Sequence, residues 1–268
     1  MTDIIGIHGI FQYKYHSDPE ILTNLWRASL ERSGIDAELD LAYFAPTLHR
    51  ASAMGDEIVE LNREEAALAA QWLLAAGAPG AVAQGRLTAW VRDSLDWLIL
   101  SGMARGATKA MTQSIIREVA TYLDLSNTEP RENAKEIVAE AIRTHQPRIV
   151  IAHSLGSVVA YEALWAAAGL TVPCLLTIGS PLALPGAFRG SFLPEAANAN
   201  TKPPGVTRWI NVTDVGDVVA VPKGLSTFFA GVDEELEISI NPFECHRVSY
   251  YLESPEVAAI LDRELARS

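Results

Sequence analysis

The sequence predicts an α/β fold in which a mostly parallel sheet is flanked by helices. Short apolar runs alternate with segments of helical period along most of the chain. One such run leads directly into the sequence Ile-Ala-His-Ser-Leu-Gly at residues 151–156, which a helical pattern follows. The chain has 268 residues, of which 49% are hydrophobic and 20% charged, enough for one large core. We therefore expect a single domain over residues 1–268.

The first elements follow a β-α-β order. The apolar run from Asp3 to Ile7 ends at His8-Gly9, which predicts a buried strand and a glycine-bearing loop. Apolar residues with helical spacing then run from Asp18 to Ser33, and Ile35 to Phe44 is a second strand candidate. This order favours a parallel sheet.

The strand pattern stops between residues 46 and 127, where apolar side chains fall on helical faces. The first face carries Ile58, Leu61, Leu68, Trp72 and Ala75, and the second carries Leu87, Trp90, Val91, Leu95 and Leu98. We interpret residues 46–127 as a helical insertion that covers one end of the sheet as a cap or lid. Ordinary helices that only pack against the core are the open alternative, because stripes of Trp and Leu are usually core.

The alternation of helices and strands resumes after residue 127. The pattern predicts a helix between Thr128 and Pro147, strands at Arg148–Ala152, Pro173–Ile178, Thr207–Val212 and Glu235–Ile240, a helix at Leu155–Ala168, and a last helix that begins at Ser254-Pro255. Ser254 is a suitable N-cap, and proline suits the first helical position.

Several classes of function are disfavoured by composition. A formal net charge of −12 argues against a nucleic-acid partner. The N-terminus lacks the features of a signal peptide, and no apolar stretch approaches the roughly 20 residues of a transmembrane helix. Two cysteines do not make a disulfide framework, so we expect free thiols and a cytoplasmic location. No metal site or cofactor is expected, because neither ligand spacing nor a phosphate-binding loop is present.

Ser154 is the candidate nucleophile. It stands at the turn between a strand and a helix, the arrangement that exposes a nucleophilic serine in hydrolases. Such a turn brings the backbone so close that small residues are needed on both sides, here Ala152 and Gly156. We expect His153 and Gly156 to shape the turn.

A serine nucleophile needs a base and an acid that orients it. His246 is the only one of six histidines that follows Ser154, so it is the candidate base. Asp214 and Asp217 both follow the strand at Thr207–Val212, and both qualify as the acid. We favour Asp217, and expect the other aspartate to cap the loop through hydrogen bonds to the backbone.

The developing oxyanion needs two backbone N–H donors. One is expected from Leu155, which follows the nucleophile and opens a helix. The other is expected from the loop after the first strand, at Ile10. Gly9 would let this backbone turn, and His8 would shape the loop.

These motifs, taken in order, resemble the α/β-hydrolase superfamily, and lipase/esterase-like serine hydrolases in particular. The matching segments are His-Gly-Ile after the first strand, Ala-His-Ser-Leu-Gly-Ser at the turn, Gly-Ser-Pro at 179–181, Asp-x-Val at 217–219, and the late histidine with Tyr-Tyr-Leu at 250–252. The resemblance implies an α/β-hydrolase fold that lacks the first N-terminal strands. It covers motifs from residue 4 to residue 260 but not the insertion at 46–127.

The leading functional hypothesis is a carboxylic-ester hydrolase that works through an acyl-enzyme on a small acyl substrate, with a lipid or a carrier-bound acyl group left open. An acyltransferase, a thioesterase or a peptide or ester cyclase would use the same acyl-enzyme, and the sequence does not choose among them. A non-catalytic binding protein on a hydrolase fold is the remote alternative.

Overall fold

The structure of the chain is a computed structural model that describes residues 2–49, 61–79, 90–91, 93–94, 109–241 and 244–267. Six parallel strands form one sheet in the order β2-β1-β3-β4-β5-β6. They are β1 (Ile4–Ile7), β2 (Leu39–Ala42), β3 (Ile149–His153), β4 (Val172–Ile178), β5 (Val206–Asp214) and β6 (Glu234–Ile238). The prediction of an α/β fold with a parallel sheet is confirmed.

Helices cover both faces of this sheet. They are α1 (Glu20–Arg32), α2 (Ala45–Leu48), α3 (Arg63–Ala75), α4 (Lys109–Leu123), α5 (Glu129–His145), α6 (Leu155–Ala166), α7 (Val248–Leu252) and α8 (Pro255–Leu265). Short 3₁₀ turns lie at Tyr13–Tyr15, Glu195–Ala199 and Leu225–Thr227. Ser254 caps α8, since its side chain accepts a hydrogen bond from the Val257 N–H.

The central strands β1 and β3 are buried along their whole length because helices cover both faces of the sheet. Ile5 and Val150 belong to a core cluster with α5 and α6, whereas Ile4 and Ile151 belong to a second cluster with α1 and α8. This alternation follows from the period of two along a strand. The sheet is therefore the middle of three layers.

The second strand is shorter than the sequence pattern suggested. The apolar run from Ile35 to Phe44 yields only Leu39–Ala42, which pairs residue for residue with Ile4–Ile7 of β1. β2 is an edge strand with this single neighbour, so its length is set by β1. Ile35 and Phe44 are buried, but they lie in the connections on either side.

The described residues of the 46–127 segment are helical or irregular, with no strand. Leu61, Leu68 and Trp72 pack partly buried against neighbouring clusters, while Val91 is buried. Ile58, Leu87, Leu95 and Leu98 lie outside the described residues. Within the part of the chain that the structure describes, no helix is long and apolar enough to cross a membrane. Cys174 and Cys245 are both free thiols.

Candidate active site

Ser154 occupies the turn between β3 and α6 with an unusual backbone. Its φ of 55° and ψ of −132° lie outside the regions that residues with a side chain normally adopt. The surroundings hold it there, because its N–H donates to the Ile178 carbonyl at 3.2 Å and its carbonyl accepts from Ser157 Oγ at 2.6 Å. Strain of this kind is typical of functional sites and costs about 1–3 kcal/mol.

Two glycines allow the turn to pack against the loop after β1. A Cβ added to Gly156 would lie 2.4 Å from the His8 carbonyl oxygen, and one added to Gly9 would lie 2.8 Å from Ser154 Cβ. Real Cβ atoms do not come this close, so both positions exclude larger residues. Ala152 is fully buried in the core, where its single methyl group fits.

His246 joins Ser154 to Asp217. Its Nε2 lies 2.9 Å from Ser154 Oγ, and its Nδ1 lies 2.7 Å from Asp217 Oδ2. With the carboxylate on Nδ1, the hydrogen-bond network assigns the proton to Nδ1 and leaves Nε2 to accept from the serine hydroxyl. The arrangement has the geometry of a nucleophile, its base and the acid that orients the base.

Asp217 is buried and amply hydrogen-bonded. Its Oδ1 accepts from the Val219 N–H at 2.9 Å, and Tyr251 Oη donates to its Oδ2 at 2.8 Å. Burial alone would raise the pKa of Asp217, but His246 and these donors outweigh it and lower the pKa to about 2. The carboxylate is therefore charged at neutral pH and is able to stabilise an imidazolium.

Asp214 forms hydrogen bonds with the backbone around its own loop rather than with His246. Its two carboxylate oxygens accept from the N–H groups of Gly216 and Ile240, each at 2.7 Å. Lys223 Nζ binds the same loop from the other side, donating to the carbonyls of Asp214 and Asp217 at 2.6 and 2.7 Å. The structure thus distinguishes the two aspartates that the sequence left open, and it brings only Asp217 to His246.

The two candidate oxyanion donors are placed beside Ser154. Leu155 is the first residue of α6, so its N–H has no acceptor inside the helix. The N–H of Ile10 follows Gly9, where an added Cβ would lie 3.3 Å from Ser154 Oγ. Among the described residues, neither N–H group has a protein acceptor.

His8 holds the loop that carries Ile10. Its Nδ1 donates to the Gly9 carbonyl at 2.6 Å, its Nε2 accepts from the Phe44 N–H at 3.1 Å, and its ring stacks on Phe44. Burial lowers the pKa of His8 to about 4, so the ring is neutral and keeps one donor and one acceptor.

His153 is hydrogen-bonded to the main chain of His246. Its Nε2 donates to the His246 carbonyl at 2.9 Å, and the two rings lie 4.7 Å apart. Burial, together with the neighbouring His246, lowers the pKa of His153 to about 3. A neutral ring at this place adds no positive charge beside the imidazole.

Three supporting residues were missed by sequence reasoning. Gly179 has a φ of 56°, and a Cβ there would lie 2.9 Å from Asp217 Oδ2 and 3.1 Å from His246 Nδ1. Tyr251 and Lys223 hold the acid and its loop, as described above. Gly179 and Tyr251 stood in recognised segments, Gly-Ser-Pro and Tyr-Tyr-Leu, but nothing in those segments indicated a contact with Asp217.

The site lies where parallel sheets usually bind ligands. β1 and β3 are neighbours in the sheet, while the chain passes from β1 to β2 on one side and then to β3 on the other. Loops that leave such a pair diverge and open a crevice at the carboxyl ends of the strands. Gly9 follows β1 and Ser154 follows β3, so their contact lies at this crevice.

Helices of the 46–127 segment reach the same edge of the sheet. Trp72 on α3 donates its Nε1–H to the Val218 carbonyl at 2.8 Å, next to Asp217. Glu118 on α4 accepts from the Phe11 N–H at 2.9 Å, next to Ile10. Trp72 is therefore hydrogen-bonded to the loop that carries Asp217.

The chain matches no protein-family model, and searches of curated proteins and of solved structures found no match. The geometry of the site and the topology of the sheet are therefore the basis on which its function is inferred.

Proposed function

We propose that this protein is a serine hydrolase of the α/β-hydrolase fold that cleaves a carboxylic ester through an acyl-enzyme. The observation that carries the proposal is the continuous hydrogen-bonded chain from Ser154 through His246 to Asp217, at 2.9 and 2.7 Å. Its order along the sequence, serine then aspartate then histidine, is that of the α/β-hydrolases. A parallel sheet in which β1 leads into the Gly9 loop and β3 leads into the Ser154 turn supports such a fold.

The reaction follows from the atoms in place. Ser154 Oγ attacks the ester carbonyl carbon while its proton passes to His246 Nε2, and Asp217 stabilises the resulting imidazolium. The negative oxygen of the tetrahedral intermediate accepts from the N–H groups of Ile10 and Leu155. The imidazolium then gives its proton to the leaving alcohol, and the serine ester remains. Water, deprotonated by the same histidine, releases the acid and restores the hydroxyl.

The segment at 46–127 is proposed to be a cap over this site. Support comes from the contacts of Trp72 and Glu118, which lie beside the acid and oxyanion loops. The choice between water and another acyl acceptor depends on what the cap admits. Assays with added amine, alcohol or thiol acceptors distinguish hydrolysis from acyl transfer, because only transfer yields a new amide, ester or thioester.

The test uses p-nitrophenyl acyl esters and a fluorophosphonate probe. We expect the wild type to turn over short-chain esters and to be labelled on the peptide that contains Ser154. Ser154→Ala should abolish both, while Ser29→Ala, which changes a buried serine on α1 whose hydroxyl donates to the Leu25 carbonyl, should retain both. Equal turnover by the wild type and Ser154→Ala, or a wild type that is neither active nor labelled, would contradict the proposal.

A further inference from the structure

The loop after β1 carries a second strained residue. Phe11, next to Ile10, has a φ of 64°, which bulky side chains rarely adopt. Its side chain is 38% exposed, so burial of the ring does not explain the conformation. Lys14 Nζ lies 5.6 Å from the centre of the ring, and hydrogen bonds hold the peptide group between Ile10 and Phe11.

Three side chains clamp two successive peptide groups of this loop. In the first peptide, the Gly9 carbonyl accepts from His8, as described above, and within the described residues the Ile10 N–H has no protein acceptor. In the next peptide, the Ile10 carbonyl accepts from Gln12 Nε2 at 3.0 Å, and the Phe11 N–H donates to Glu118 Oε2 at 2.9 Å. The second peptide is thus held at both its oxygen and its nitrogen.

Glu118 is brought to this peptide by a helix anchored elsewhere. It lies on α4, and one turn farther on Tyr122 Oη donates to Glu162 Oε2 of α6 at 2.5 Å. Ile116 of the same helix is buried against residues of α3. Since α4 is fixed on both sides of Glu118, the carboxylate is a fixed acceptor. Burial raises the pKa of Glu118, and the Phe11 N–H partly offsets this.

We propose that Glu118 is a positioning residue that sets the direction of the Ile10 N–H, so that the oxyanion hole is complete only when α4 is in place. This inference rests on the proposed hydrolase function. An oxyanion donor acts by its placement, and loss of one costs about 10²–10³ in kcat. A variant that keeps the Ile10 N–H but holds it less firmly should therefore lose part of this factor of about 10²–10³ in kcat.

The activity test compares two variants of one position. Glu118→Leu removes the acceptor and should lower kcat roughly tenfold to a hundredfold, with KM changed less than about threefold, because the donor acts chiefly in the transition state. Glu118→Gln keeps an acceptor oxygen without the charge and should stay within about threefold of the wild type in kcat. This rescue separates the hydrogen bond from the charge and from the bulk of the side chain.

A second readout does not depend on catalysis. Hydrogen exchange of the Phe11 amide, followed by NMR, should be faster in Glu118→Leu and close to wild type in Glu118→Gln. Unchanged exchange in the leucine variant, or unchanged kcat, overturns the inference. If that variant fails to fold, Gln12→Met loosens the same peptide at its oxygen and should lower kcat in the same way.

The outcomes separate this inference from the hydrolase proposal. A wild type that is neither labelled by the fluorophosphonate nor active on esters overturns both. A wild type that is labelled and active, with equal kcat in Glu118→Leu, overturns only the role of Glu118.

Discussion

The two aspartates of the loop after β5 offer a matched pair of substitutions. Asp217 and Asp214 are both buried, lie three residues apart and share Lys223 and Tyr251 as neighbours. Asp217→Asn replaces the carboxylate that His246 binds by a neutral amide of the same size. Asp214→Asn makes the same chemical change at a carboxylate that accepts from the N–H groups of Gly216 and Ile240.

The effect of Asp217→Asn is estimated from the geometry. With the contact at 2.7 Å, the charge centres of carboxylate and imidazolium lie about 4 Å apart, where unit charges interact by about 4 kcal/mol at an effective dielectric constant of about 20. Loss of this interaction should slow the proposed reaction about a thousandfold, since about 1.4 kcal/mol is a factor of ten. The amide also favours the wrong imidazole tautomer, and in a Ser-His-Asp triad the combined cost is about 10⁴.

Asp214→Asn should instead affect stability. An amide oxygen satisfies one of the two N–H groups and leaves the other facing an NH₂ group, at a cost of about 1–3 kcal/mol in the free energy of unfolding. We expect kcat to fall less than about tenfold, because His246 keeps its partner.

Ester turnover and urea denaturation of both variants measure these effects. Asp217→Asn should lose about 10³–10⁴ in kcat, whereas Asp214→Asn should lose chiefly stability. The reasoning is refuted if Asp217→Asn retains more than a tenth of the wild-type kcat, or if the two variants lose kcat equally.

Two further predictions concern the buried histidines and the glycine beside the acid. Burial lowers the pKa of His8 to about 4 and that of His153 to about 3, below the usual 6.5, so between pH 6.5 and 4 the unfolded chain binds more protons than the folded chain. The free energy of unfolding should therefore decrease by several kcal/mol as the pH is lowered through this range, at about 1.4 kcal/mol per unit of pKa difference. Urea titrations at pH 7 and 5 measure this fall, which His153→Gln should reduce; equal stability at both pH values would contradict it. Gly179→Ala should lower kcat at least about tenfold, because the added methyl group would collide with Asp217. Gly34 also has a positive φ, but a methyl group there would meet no atom within 4 Å, so Gly34→Ala should lose only about 1 kcal/mol of stability. Equal kcat in the two alanine variants would show that the contact does not matter.

Local sequence patterns were sufficient to predict where the strands of the sheet lie in the chain. β3 and β4 are apolar runs bounded by turns, and the structure has them at Ile149–His153 and Val172–Ile178, within a residue of the predicted bounds. The boundary at Ile35–Phe44 was wrong because an apolar run does not reveal how many partners the neighbouring strand offers. Pairing with β1 is a long-range property, and it sets the ends of β2.

The candidate site likewise contains residues that local sequence signals predicted and residues that only the fold brought together. Ser154, His246 and the Gly9 loop, which the structure brings together, were predicted from a strand-turn-helix, from the order of residues and from a glycine after a strand. Asp217 and Asp214 stayed open, since both follow β5 and only the fold determines which carboxylate reaches the histidine. The sequence around Glu118 did not indicate its contact with the loop after β1, because its partner Phe11 lies 107 residues away in the chain.

The sequence by itself determined the alternation of helices and strands, the parallel sheet and the candidate nucleophile and base, because these depend on periodicity and on residue order. Only the tertiary structure decided the contacts around them. It brought Asp217 rather than Asp214 to His246, joined His153 to the His246 carbonyl, and joined Glu118 to the loop of Ile10. The physical reason is that a hydrogen bond depends on the distance between two atoms, and distances between residues far apart in the chain are fixed only when the sheet and its helices pack.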